Sequence, residues 1–129
     1  MKILIVGHDA ELCAITGKIL ERSGYTAVCR VYDAETPESI SRDTPALVIA
    51  ELETDENERI RFCKAVKSLV SPPKLMLIGR SGEEETNMLN AGADDWIEKP
   101  YRTDVFLARV SAIIRQCGNI SPTAKREDY

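Results

Sequence analysis

The sequence predicts an α/β domain, a doubly wound five-stranded parallel sheet in the order 2-1-3-4-5 with five flanking helices. Three observations lead there. Short apolar runs alternate with amphipathic segments along the 129 residues, the rhythm that builds strand–helix–strand units. Two of the runs, Lys2-Ile3-Leu4-Ile5-Val6 and Leu47-Val48-Ile49-Ala50-Glu51-Leu52, are almost unbroken in apolar character, as in strands buried on both faces. Polar turns close them, Gly7-His8-Asp9 after the first and Glu53-Thr54-Asp55 after the second. Such turns place functional groups at the carboxyl ends of the strands, where ligands sit in open α/β sheets.

Each element has its own signal. After the first strand, Ala10 to Ser23 sets Leu12, Ile15, Ile19 and Leu20 at helical spacing, with Gly24 as the stop. Residues 26–32 make a shorter, more polar strand suited to an edge. Thr36-Pro37-Glu38 opens a short helix, Pro at its first position, that ends at Asp43. The central strand is followed by a helix over 57–70, with Ile60, Cys63, Val66 and Lys67 on neighbouring turns and Pro72-Pro73 as the stop. Lys74 to Gly79 is the fourth strand. Glu83 to Ala91 is a helix whose first turn carries Glu83, Glu84 and Glu85, the favourable sign at a helix N-terminus. Trp96-Ile97-Glu98 is a brief fifth strand running into Lys99-Pro100. Residues 103–117 form the last helix, its apolar face built from Val105, Phe106, Val110, Ile113 and Ile114. The boundaries are thus one domain over 1–117 and a polar, aperiodic tail or linker over 118–129. With right-handed crossovers this is the flavodoxin-like arrangement. Its cleft gathers residues 7–9, 51–55 and 78–81, joined by Lys99.

Composition narrows the function. A net charge of −4 implies no basic face for direct nucleic-acid binding. No apolar stretch approaches the roughly 18 residues of a membrane span, and Met1 leads straight into a strand, so the expected location is the cytoplasm. Cys13, Cys29, Cys63 and Cys117 are widely spaced, without a CxxC pair. They read as buried or half-buried thiols in a reducing compartment before they read as redox or metal ligands.

The run Ala91-Gly92-Ala93-Asp94-Asp95-Trp96-Ile97-Glu98-Lys99-Pro100-Tyr101, together with the strand–helix alternation, resembles the receiver domain of bacterial two-component response regulators from about residue 2 to residue 116. The resemblance implies a phosphoryl-accepting cleft: an acid pair that holds Mg²⁺, an aspartate, a hydroxyl, a lysine and a switch aromatic. Here the acid-pair position is occupied by Gly7 and His8, the phosphoacceptor position by Glu51 and the hydroxyl position by Ile78. Only Lys99 and Trp96 keep the family's residue types, and the resemblance also implies a cis Lys99–Pro100 bond.

Those replacements bear on the chemistry. Mg²⁺ asks for octahedral oxygen ligands, and neither Gly7 nor the imidazole of His8 supplies one. Asp9 is a carboxylate with two readings, cap of the first helix or residual ion ligand. Phosphoryl transfer rests on positioning, and glutamate at 51 is a methylene too long. Weak or absent Mg²⁺ binding, no other cofactor and no enzymatic activity are therefore expected. Glu51 is expected to pair with Lys99, either standing in for a phosphorylated acid or simply neutralising the pocket. His8 beside them is a minor candidate for a pH-sensitive group or a transition-metal ligand. The following loop, rich in Glu51, Glu53, Asp55, Glu56 and Glu58 and with Asp55 and Arg59 where the family has Pro and Gly, would repel an anionic phosphodonor.

Receiver domains signal through the face of helix 4, strand 5 and helix 5, which here would show Asn87, Asn90, Asp94, Asp95, Trp96, Arg109 and Arg115. The pattern of Asp94 or Asp95 with Arg109 and Arg115 is similar to the acid–base set that builds two-fold dimers in the winged-helix branch of the family. The expectation is a pseudo-receiver that signals through a protein partner or effector domain, or as a homodimer, without aspartyl phosphorylation. The alternative is a phosphorelay receiver still modified at Glu51 or a neighbouring acid. A flavodoxin-like enzyme or nucleotide binder ranks last, because Gly7-His8-Asp9 is a poor phosphate loop.

Overall fold

Side-chain parity along each strand decides which layer a residue enters. The computed structural model describes residues 2–80 and 82–118. Strands β1 (Lys2–Gly7), β2 (Thr26–Val31), β3 (Leu47–Glu51), β4 (Lys74–Gly79) and β5 (Asp95–Glu98) pair in parallel in the order β2-β1-β3-β4-β5. Helices α1 (Ala10–Arg22), α2 (Thr36–Asp43), α3 (Glu56–Lys67), α4 (Glu85–Asn90) and α5 (Thr103–Gly118) flank it, with a 3₁₀ turn over Gly82–Glu84 ahead of α4. Order and helix count are those read from the sequence.

Because alternate residues of a strand face opposite ways, each apolar run feeds two cores. Leu4, Val6, Val48, Leu75 and Leu77 pack with Ile40 of α2, Phe62 and Val66 of α3 and Met88 of α4. Ile3, Ile5, Ile49, Met76 and Ile97 pack with Leu20 of α1 and with Phe106, Val110 and Ile113 of α5.

The helix ends follow local chemistry. Asp9 Oδ1 accepts from the N–H groups of Glu11 (2.9 Å) and Leu12 (3.3 Å), capping α1. At the other end Gly24 takes φ +95°, the Gly24 N–H donates to the Glu21 carbonyl and that of Tyr25 to Leu20, a Schellman closure. Asp55 caps α3 by accepting from the Glu58 N–H at 2.8 Å. The helix expected over 57–70 stops at Lys67, because Ser68 turns its hydroxyl back to the Lys64 carbonyl at 2.6 Å. The helix expected from Glu83 begins instead as the 3₁₀ turn, and α4 proper has six residues.

Two apolar faces differ from the periodic reading. The stripe of α1 against the sheet is Cys13, Thr16, Gly17 and Leu20, and Ile15 is 52% exposed. Small residues carry little hydrophobic signal, yet a Cβ on Gly17 would lie 3.6 Å from both Ile5 and Cys29, so it is there that the helix meets the sheet. Val105 of α5 is likewise exposed, leaving Phe106, Val110 and Ile113 as the buried face. Cys29 is exposed while Cys13 and Cys63 are buried, and Cys117 is intermediate. The predicted tail, apart from Gly118 at the end of α5, lies outside the described residues.

Leu20→Ala should lower stability by about 2–5 kcal/mol. Ile15→Ala should cost about 1 kcal/mol or less. Urea unfolding followed by fluorescence compares the two.

Candidate functional site at the carboxyl end of the sheet

In the parallel register Gly7 stands opposite Glu51, so the ends of β1 and β3 share the floor of one cleft. Glu51 ends β3 half-buried, and Lys99 follows β5. Lys99 Nζ donates to Glu51 Oε2 at 2.7 Å, with side-chain exposures of 30% and 21%. The Lys99–Pro100 peptide is cis. Beside the pair, Ile78 is 4% exposed and offers only hydrocarbon.

The remaining predicted positions have other partners. Gly7 is a close approach: a Cβ there would lie 3.1 Å from Cys13 Sγ and 3.2 Å from the Glu51 carbonyl oxygen. His8 Nδ1 accepts the Glu53 N–H at 3.0 Å, and its ring lies 5.2 Å from that of Tyr32. Tyr32 in turn donates to Glu58 at 3.0 Å, and burial first, then this bond, raises its phenol pKa. Burial pushes the Cys13 thiol up to about 11, with nearby Cys29, Glu51 and Asp9 adding to the shift.

Mg²⁺ fits this donor set poorly. One Asp9 oxygen is given to the α1 cap and one Glu51 oxygen to Lys99, and Gly7 brings no side chain. Among the described residues no group of three or more His, Cys, Asp and Glu side chains is placed to hold a metal ion.

The loop around the cleft is less anionic than its sequence reads. Arg59 donates from Nε (3.0 Å) and Nη2 to Glu84 Oε1, and from Nη1 to the Thr54 carbonyl. Arg80 lies 3.6 Å from Glu53. A cavity of about 330 Å³ between the loops is lined by Glu51, Thr54, Arg59, Gly79, Arg80 and Glu84 among others. Arg80 and Glu84 carried no motif signal, because their role arises only when two loops remote in sequence meet.

Trp96 was expected on the outer face and is instead 3% exposed. Its ring fills the space a side chain on Gly79 would take: an added Cβ would lie 1.9 Å from Trp96 Cη2. Absence of a side chain at Gly79 is what admits the indole. The indole N–H finds no acceptor among the described residues.

Asp94 is exposed and has partners within the chain. Its carboxylate accepts from Lys67 Nζ (2.9 Å) and from the Leu75 N–H (2.8 Å), tying α3 and β4 to the start of β5. Asn87 donates to Glu56 of α3 at 2.6 Å. Asp95 bonds Arg109 at 3.0 Å within the chain, and Arg115 bonds Ser111. Asp94, Asp95, Arg109 and Arg115 thus all have partners within the chain, and Trp96, though buried, forms part of a groove wall on this face.

No protein-family model matches the chain. The transcriptional regulatory protein CpxR of Escherichia coli (strain K12) is 29% identical over 116 residues, covering 89% of this chain and 50% of CpxR. A two-component response regulator from Clostridium difficile superposes with a TM-score of 0.77 at 25% identity, covering 90% of this chain and 97% of that one. An atypical orphan response regulator, described with a phosphorylation-independent regulatory mechanism, superposes with a TM-score of 0.74 at 25% identity, covering 89% of this chain and 96% of its own. The fold is that of response-regulator receiver domains, and the sequence is similar to those of transcriptional regulators that span about twice its length. The chain spans about half the length of the curated relatives it matches, and among its described residues no helix is long and apolar enough to cross a membrane.

Gly79→Ala should force the indole out, lowering stability by about 3–5 kcal/mol, the order of an aromatic deletion. Trp96, the single tryptophan, should shift its emission to the red. A second expectation concerns alkaline pH. The Cys13 and Cys63 thiols sit at about 11 in the fold against an ordinary 9.0, chiefly through burial. The folded state holds these protons more tightly, so their stabilisation is complete below 9.0 and is lost as pH rises towards about 11. Urea midpoints across that window should fall, and less steeply in Cys63→Ala.

Proposed function

We propose that this domain is an atypical receiver, a signalling module that acts by protein–protein contact without aspartyl phosphorylation. The observation that carries the reading is the 2.7 Å bond between Lys99 and Glu51. The ammonium that would meet an incoming phosphoryl group already has an anionic partner. Ile78 adds no hydroxyl, and Asp9 and Glu51 each give one carboxylate oxygen to a partner within the chain, so this reading calls on neither Mg²⁺ nor another cofactor. The likeness to a regulator described as phosphorylation-independent supports the same reading.

The partner surface in this reading is the α4–β5–α5 face. A groove of about 370 Å³ there is lined by Trp96, Ile97, Tyr101, Val105 and Arg109 among others, mixing apolar floor and charged rim as docking sites do. A signalling partner, an effector domain like those implied by the longer transcriptional regulators, or a second copy would bind it. Asp95 and Arg109 would exchange their internal bond for a cross-interface one. The domain is assigned no enzymatic activity, no nucleic-acid contact of its own and a reducing cytoplasmic setting for its free thiols.

Incubation with acetyl phosphate and Mg²⁺, followed by intact-protein mass spectrometry, should leave the mass unchanged. A gain of one phosphoryl mass, mapped to Glu51 or a neighbouring acid, would establish the divergent phosphorelay instead. Mg²⁺ titration should likewise produce no saturable change in Trp96 fluorescence.

A further inference from the structure

The two edges of the sheet are unlike. β5 has four residues, two of them the acids Asp95 and Glu98, and short length and charge are the usual protection of an open edge. β2 has neither. It runs for six residues, Thr26 to Val31, in unbroken register with β1. It carries no proline and no lysine, and its one charged residue, Arg30, is turned to Asp33 at 3.4 Å. Val28 and Val31 are 41% and 53% exposed. Among the described residues no strand pairs with its outer side. Parity leaves three residues of that side open. The Tyr32 N–H donates to the Gly7 carbonyl at 2.9 Å, so Arg30, Val28 and Thr26 face β1 as well. Ala27, Cys29 and Val31 then turn their N–H and C=O groups outward, and among the described residues no hydrogen bond reaches those groups.

We propose that a second copy of this chain docks on that edge, the two β2 strands pairing antiparallel about a two-fold axis at Cys29. In this register Ala27 meets Val31 of the second copy and Cys29 meets its own counterpart, so every outward group of both strands finds a partner. An axis at Arg30 would set two guanidinium groups opposite each other, which repels. An axis at Val28 would carry Val31 past the end of the other strand. The axis at Cys29 sets Arg30 against Val28 instead, and it covers Val31, the more exposed of the two valines. Charge on the flanking helix agrees. α1 packs over β2, where Cys29 Sγ donates to the Cys13 carbonyl at 3.1 Å, so the same axis reverses α1 against its copy. The first turn of α1 carries Glu11 and its last turn Arg22, so the acidic end of each helix lies toward the basic end of the other. β2 and β5 are opposite edges of the sheet, and this interface is therefore separate from the α4–β5–α5 face.

Sedimentation velocity over a concentration series should show a monomer–dimer equilibrium. Val31→Lys should weaken the dimer by about ten-fold or more, since a lysine is one of the devices that keep edges apart. Val105→Lys, on the groove beside β5, should leave it unchanged. Both positions are exposed, so urea midpoints should stay at the wild-type value. In the unaltered chain a short bismaleimide should join Cys29 to Cys29 of the second copy, a product identified by peptide mass spectrometry and lost in Cys29→Ser. A chain that stays monomeric throughout the series would overturn the interface. So would a dimer that Val105→Lys breaks and Val31→Lys spares, or one in which the reagent never links Cys29 to its counterpart. These outcomes leave the cleft untouched: the acetyl phosphate experiment decides the preceding proposal by itself.

Discussion

The bond from Lys99 to Glu51 governs the carboxyl end of this sheet. It spans from the residue after β5 to the last residue of β3, passing over β4. Two opposite unit charges at this separation attract by about 6 kcal/mol before desolvation, at an effective dielectric near 20. Much of that is offset by drawing them partly from water, so the pair contributes little net stability. Its importance lies in asymmetry. With both partners present the pocket is internally neutral. With one removed, a half-buried charge is left beside Ile78 and Ile49, which can solvate neither form.

Neutrality at the floor sets the character of the cleft above it. Asp9 is turned to the α1 backbone, His8 to the Glu53 N–H, and the acidic rim is partly answered by Arg59 and Arg80. One layer out, the same economy of space puts Trp96 over Gly79. An aromatic in that seat belongs to the α3–α4 core, packed among Leu75, Leu77 and Met88. Rotating it outward would empty a large volume in a close-packed layer, a cost of the order of an aromatic deletion, about 3–5 kcal/mol.

How much of this the sequence disclosed follows from where each signal is stored. The strands were legible because parallel strands buried on both faces read as continuous apolar runs, and β1, β3 and β4 are such runs. The Glu51–Lys99 pair was legible because strand order alone brings those positions together. The α1 stripe was not, since Thr16 and Gly17 touch the sheet by being small, which no hydrophobic period records. Asp94 is the surface acid it looked like, but its bonds were not legible because its partners Lys67 and the Leu75 N–H lie 27 and 19 residues away. Trp96 looked like a surface aromatic because its seat is made by the missing side chain of Gly79, 17 residues earlier.

A receiver fold arranged this way has a particular mechanical bias. The elements around the neutral pair are fixed by apolar burial and by a tryptophan in a fitted seat, interactions that neither salt nor a small ligand removes. The contacts of the segment 82–90 include an arginine–glutamate pair and an amide–carboxylate bond, and Met88 is the buried side chain of α4. Polar ties of this kind are individually weak, screened by salt and open to exchange with a competing anion. Local opening starts where burial is least, so releasing the segment 82–90 costs less than disturbing the apolar packing around the acid on the cleft floor.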